Sequence, residues 1–170
     1  MFKPYTIWLP EYSIVSGGIR VMYGLYAALL LKGQIVNPNA IYQGINSIAI
    51  YPEIAQGNPL NGSTVVRYIL NKPGVMASNG VPGPTEFDKD DILYTFSKIF
   101  MKTDKLHQLF LPILDMHLFH DMKKPRTKSC YFIGKGENQF KHPKDAIELN
   151  RGIAGNQEYL ANALNECQTL

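Results

Sequence analysis

An α/β fold built on a mostly parallel sheet is the class this sequence predicts, on three observations. Thr6–Lys32 reads as a short apolar strand, a loop, a Gly-Gly pair and an amphipathic helix. Ile45–Ile54 contains Ile48-Ala49-Ile50-Tyr51, a run with the composition of a parallel strand buried on both faces. Strand and helix patterns then alternate up to about residue 120, and a fresh strand starts at Ser129 beyond a basic, proline-containing linker. Together these predict a Rossmann-like sheet with flanking helices over 1–122 and an incomplete second α/β unit over 123–170.

The first strand, Thr6–Leu9, is β-branched and aromatic and lies between Pro4 and Pro10. From Ile19 the apolar residues Met22, Leu25, Tyr26 and Leu29 recur at helical spacing, and Lys32-Gly33 supplies a basic last turn and a stop. A strand is expected near Gln34–Val36, before the Asn37-Pro38-Asn39 turn. After Pro52-Glu53 comes a loop crowded with Gly57, Asn58, Pro59, Asn61 and Gly62. Thr64 is expected to cap a short helix over 64–71, with Val65, Val66, Ile69 and Leu70 on its buried face and Arg67 and Lys72 outside it. Residues 75–84 are loop material, and the acidic stretch Glu86–Asp91 precedes a strand over Ile92–Ser97. The run Leu106–Leu114 carries Pro112, which points to an edge strand or a short one. In the second unit a strand begins at Ser129, the tail Ala146–Glu166 is expected to be mainly helical with breaks at Gly152 and Gly155 and with apolar residues over Glu158–Glu166, and the last three residues resemble the start of another strand.

Hydrophobic residues make up 45% of the 170 and charged residues 18%, a globular composition that excludes a disordered chain. The net charge of +3 is dispersed except around Lys123–Lys128, too weak a balance for a nucleic-acid partner. Cys130 and Cys167 lie far apart without metal-like spacing, so the expectation is a reduced, cytoplasmic protein with neither a disulfide scaffold nor a metal. The first ten residues lack the long apolar run of a signal peptide, and no stretch is long enough to span a membrane. Peripheral membrane contact stays open. The half-built second unit is expected to leave apolar surface that favours homo-oligomers. The chain has no G-x-x-x-x-G-K-[ST], G-x-G-x-x-G or G-x-S-x-G, so the usual nucleoside-triphosphatase, dinucleotide and serine-hydrolase signatures are missing.

Chemistry is expected first at the entrance to the long helix. The initial amide N–H groups of a helix lack partners inside it, and the dipole favours negative charge there. Gly17 and Gly18 carry no Cβ, so a phosphate or a sugar can approach the backbone closely, and Ser16 suits the N-cap. The alternative is a tight first βα turn with no ligand.

Several segments are similar to a known family. SGGIRVMYGLYAALLLKG resembles the first βα unit of retaining glycosyltransferases with the two-lobed GT-B fold. IAIYPEIAQGNPLNGSTVVRYILNKPG resembles a second landmark of the bacterial branch that builds cell-surface polysaccharides. KSCYFIGKG resembles the first strand of the nucleotide-sugar lobe, and NQEYLANALNECQTL the helix and strand before its acidic donor-binding motif. The match covers nearly the whole chain, but the paired glutamates of that family's donor lobe lie beyond Leu170. A fragment, a truncated product or a site completed by another chain are the expectations that follow.

The resemblance implies transfer of a sugar from a nucleotide-diphosphate sugar to a hydroxyl of a glycan or lipid-linked acceptor, with no compulsory metal or other cofactor. Gly17 and Gly18 then face donor phosphates or acceptor, and Lys135, between two glycines, is the leading phosphate contact. Arg67 is a further donor-side cation, or else an ordinary solvated or ion-paired residue. Glu53, at a strand end, is expected to bind acceptor hydroxyls or to serve as a loop partner. His117 and His120 are the candidates for general base or polariser, three residues apart and without a third metal ligand. The competing expectation is a non-enzymatic α/β module that binds a phosphate-bearing ligand or a protein partner.

Overall fold

A computed structural model describes residues 3–78, 80–133, 143–149 and 155–169. The chain divides into two compact units, Met1–Ile113 and Leu114–Leu170. The basic linker at Lys123 thus lies inside the second unit.

The first unit is a six-stranded, all-parallel sheet: β1 (Tyr5–Ile7), β2 (Val36–Pro38), β3 (Ile48–Pro52), β4 (Thr64–Ile69), β7 (Ile92–Thr95) and β8 (His107–Gln108), in the order β2-β1-β3-β4-β7-β8. A small antiparallel hairpin, β5 (Ala77–Ser78) with β6 (Val81–Pro82), interrupts the passage from β4 to β7. This agrees with the predicted α/β, Rossmann-like class. The chain leaves β1 towards β2 on one side and later returns to place β3 on the other, so the order reverses between β1 and β3.

Helix α1 (Gly17–Leu31) joins β1 to β2. It starts two residues earlier than the apolar spacing suggests, because Ser16 caps it by accepting the Ile19 N–H at 3.4 Å. At the other end the Gln34 N–H reaches the Leu29 carbonyl at 3.1 Å and the Gly33 N–H reaches Leu30 at 2.9 Å. This is a Schellman closure, and it needs the φ of +70° that Gly33 adopts. Val21, Met22 and Leu25 of α1 pack on Ile7, Ile50 and Tyr68 of the sheet. Gly24 brings the helix against Leu111 and Ile113, where an added Cβ would sit 3.4 Å from both side chains. Tyr68 ties this layer together by donating to the Leu109 carbonyl at 2.7 Å.

The other face of the sheet has no helix among the described residues. The 64–71 segment, expected as a helix, is β4, in the middle of the sheet. Its apolar residues fit a helical face on paper, but Thr64, Val65, Val66 and Ile69 are β-branched and stiff in a helix. The slot between β3 and β7 pairs their backbone on both sides instead. The alternation then becomes two-fold: Tyr68 joins the α1 face, while Arg67 turns to the opposite one.

With β4 a strand, the 53–63 segment must cover that opposite face. Ala55 and Leu60 bury themselves against Ala49 and Tyr51. The Tyr51 hydroxyl donates to Asn58 Oδ1 and accepts the Leu60 N–H, both at 2.8 Å. Asn58 closes the loop on Gly62 in both directions, at 2.8 and 3.0 Å. Gly62 is obligatory, since a Cβ there would lie 2.4 Å from that of Ala49. Arg67 spans the arrangement. Its Nε pairs with Asp91 Oδ2 at 2.7 Å, Nη1 donates to the Ala55 carbonyl at 2.9 Å, and Nη2 donates to the Gly57 carbonyl. The guanidinium lies 4.9 Å from the centroid of the Tyr51 ring.

Two further expectations shift. The Leu106–Leu114 run supplies only the two residues of β8, and Leu109, Leu111 and Ile113 beyond it pack on α1 and the sheet. The strand expected over 92–97 ends at Thr95.

The second unit is a three-stranded parallel sheet, β10 (Ile147–Glu148), β9 (Lys128–Tyr131) and β11 (Cys167–Thr169), in the order β10-β9-β11, with α2 (Gln157–Glu166) beside it. Ile147–Glu148, expected within a mainly helical tail, is a strand because its backbone pairs with Cys130 and Tyr131 of β9. Cys130, Leu149, Ala163 and Cys167 form the core of this unit. Buried Asn165 on α2 donates to the His120 carbonyl at 2.9 Å and accepts the Met122 N–H at 2.8 Å.

Arg67 and Asp91 have side chains only 5% exposed, so Arg67→Leu leaves a buried carboxylate uncompensated. The expected loss is about 3–5 kcal/mol in urea denaturation. A loss below about 1 kcal/mol would show that the loop covers the sheet without the guanidinium.

Candidate functional site

The carboxyl ends of β1, β3 and β4 and the start of α1 surround a cavity of about 390 Å³. It stands where the strand order reverses, between β1 and β3, which is where open parallel sheets bind ligands. Trp8 and Pro10 follow β1. Ser16, Gly18, Ile19 and Met22 come from the helix entrance. Pro52, Glu53 and Ile54 end β3, Leu70 and Asn71 end β4, and Met76 and Ala77 close the rim from the hairpin.

Each wall has a local cause. The Trp8 N–H donates to the Ile50 carbonyl at 2.9 Å, extending the pairing beyond β1 and fixing the indole at the cavity. Gly18 leaves the helix entrance open: an added Cβ there would meet only Leu70 Cδ1, at 3.7 Å. Gly17 is exposed, and its added Cβ would meet nothing within 4 Å. The two glycines are therefore the first two residues of α1, beside a cleft and not sealed beneath side chains.

Glu53 is the charged group of the cavity. It is buried, and its Oε2 accepts the Leu70 N–H at 2.9 Å. Burial pushes its pKa above the ordinary 4.5, against the opposing pull of backbone N–H groups from Leu70, Glu53 itself and Asn71. None of the described lining residues is Lys or Arg. An indole, a carboxyl and an amide in a largely apolar wall suit a hydroxylated ring, which stacks on one and hydrogen-bonds to the others.

Of the sequence-derived candidates, Gly18 and Glu53 meet at this cavity, with Gly17 next to it. Arg67 does not join them: it lies on the opposite face of the sheet with its guanidinium nitrogens committed to Asp91, Ala55 and Gly57. Its neighbourhood there includes Asp88, Asp90 and Asp91. Lys72 is exposed, and its backbone N–H donates to Asn71 Oδ1 at 2.8 Å. His117 and His120 belong to the second unit, both exposed in a turn and not on a helix. The His117 N–H donates to Asp115 Oδ1 at 2.9 Å. No cluster of metal-ligating side chains occurs among the described residues. Lys135 lies outside the described residues. Trp8, Asn71 and Met76 were missed from sequence. Asn71 becomes visible once 64–69 is read as a strand, because it then follows a strand's carboxyl end. Met76 carries no sequence signal.

The pH dependence of stability isolates Glu53. Its raised folded-state pKa means that the folded chain holds a proton above pH 4.5, where the unfolded chain has lost it. The associated stability is fully present below the unfolded value and lost as pH rises through the folded one. Glu53→Gln keeps an acceptor for Leu70 and cannot ionise. Its melting temperature is therefore expected to gain on the wild type as pH rises through the Glu53 transition, and parallel curves would show that Glu53 is not desolvated.

Comparison of the chain with protein-family models, with curated proteins and with solved structures gives no match in any of the three.

Proposed function

We propose that the chain is the acceptor-side lobe of a glycosyltransferase, with part of a nucleotide-sugar lobe attached. The reaction joins an acceptor hydroxyl to the anomeric carbon of a donor sugar as the bond to the diphosphate breaks. The hydroxyl proton passes to a base, and the electron pair leaves with the diphosphate. The cavity between β1 and β3 is the observation that carries this reading. It sits beside a bare helix entrance and offers Trp8 to a sugar face and Glu53 and Asn71 to its hydroxyls. An ionised Glu53 orders a hydroxyl as an acceptor, and a protonated one as a donor. The lack of cations in the described wall favours the acceptor as the ligand of this cavity, while the leaving diphosphate needs donors elsewhere, for which Lys135 is the candidate, with His117 and His120 the candidates for base or polariser.

Trp8 is the single tryptophan of the chain and lines this cavity, so its emission responds to occupancy there, and a variant that closes the helix entrance ties the response to this cavity. Methyl glycosides are expected to shift that emission saturably. Gly18→Val, whose branched side chain fills the helix entrance, is expected to abolish the shift while stability changes by less than about 1 kcal/mol. A Trp8 response to UDP, GDP or dTDP without one to glycosides would move the reading to a nucleotide-binding module. A chain that answers to neither class of ligand would end the carbohydrate assignment.

A further inference from the structure

Strand β7 is followed by Lys98, Lys102 and Lys105, all three exposed, with Asp104 the one acid among them. Between the first two lysines Ile99 stands with 80% of its surface in water. The turn that presents it is pinned at its root. Thr95, wholly buried, donates through Oγ1 to the Ser97 carbonyl at 2.7 Å, and the Phe100 N–H closes on the same carbonyl at 3.1 Å. Phe96 packs on Phe110 with ring centroids 4.8 Å apart, and Phe110 is itself 61% exposed. Lys98, Met101, Lys102, Thr103, Asp104 and Leu106 wall an open hollow of about 600 Å³.

An exposed aliphatic side chain on an ordered turn, flanked in sequence by exposed lysines of which two share a hollow, matches one kind of partner in particular. We propose that the 97–106 loop docks on an anionic lipid surface. Ile99 enters the boundary between headgroups and acyl chains, and Lys98, Lys102 and Lys105 meet the lipid phosphates. A nucleic acid would ask for aromatic stacking at the apex, where this loop carries an aliphatic residue. Of the other strongly exposed apolar side chains, Leu31, at 88%, has only Lys32 beside it in sequence, and Met116, at 70%, follows Asp115. No helix is long and apolar enough to cross a membrane among the described residues, so the contact is one of surface docking. The inference stands on the loop alone and is independent of the glycosyl-transfer reading.

Co-sedimentation with vesicles provides the test. The purified chain is mixed with vesicles of phosphatidylcholine alone and of phosphatidylcholine with phosphatidylglycerol, at low and high salt. Sedimentation with the mixed vesicles only, released by salt, is expected. Lys98→Gln and Lys102→Gln should each weaken binding about fivefold, and Ile99→Ser should weaken it at both salt levels. These side chains are exposed, so circular dichroism should report unchanged folding. Three outcomes overturn the proposal: no sedimentation, equal sedimentation with neutral vesicles, or binding that survives the combined Lys98→Gln, Ile99→Ser and Lys102→Gln variant.

Discussion

The first unit depends on how a single buried cation covers half of a sheet. A parallel sheet needs both faces shielded from water, and helices in the crossovers normally do this. Here the passage from β3 to β4 contains no helix, so irregular chain has to serve, and irregular chain brings unpaired carbonyls into the interior. Arg67 resolves the conflict. Its planar fork takes two loop carbonyls and a carboxylate at once, and its face lies over Tyr51. Because Ala55 is one of those anchors, the guanidinium also restrains the two residues between it and the end of β3. Glu53 is one of them, so a residue on the far face of the sheet helps to hold the carboxyl group of the cavity.

The cavity itself sets two electrostatic tendencies against each other. The start of α1 favours negative charge, since its first N–H groups point outward without helical partners. Glu53 already supplies a carboxyl group nearby, and burial holds that group towards its neutral form. A diphosphate arriving here would meet a titratable acid and, among the described lining residues, no cation. A polyhydroxyl ligand would meet hydrogen-bonding groups of both kinds. A helix N-terminus is therefore a general invitation to polar ligands, and the residues opposite it decide which ligand is admitted.

Much of the fold was legible in the residues. The α1 amphipathy, its serine cap and its glycine stop are local properties that depend on neighbours within a turn, and the structure reproduces all three. The Ile48–Tyr51 run reads as a buried strand because a strand hydrophobic on both faces needs no outside information to be recognised. The 64–71 segment reads as a helix because its five apolar residues, Val65, Val66, Tyr68, Ile69 and Leu70, suit a helical face and a strand buried on both sides alike, and only the open slot between two strands chooses between them. Half of the site was legible for the same reason. Gly18 and Glu53 stand at punctuation points of strand and helix, where a sequence shows its turns. Trp8 looked like strand, Met76 looked like loop, and Arg67 left donor contact and ordinary solvation or ion pairing open, because the sheet face a side chain points to is set by pairing register.

By itself, then, the sequence determined the class of fold, the capped first helix, the buried third strand and the bare glycines at the helix entrance. These follow from chain stereochemistry and from spacing within a few residues. The tertiary structure alone decided that β4 is a strand, that Arg67 is a buried brace, and that Trp8, Glu53 and Asn71 share one cavity. The reason is physical: β-pairing joins residues distant in sequence, and a shift of one residue in register would exchange every inward side chain for an outward one.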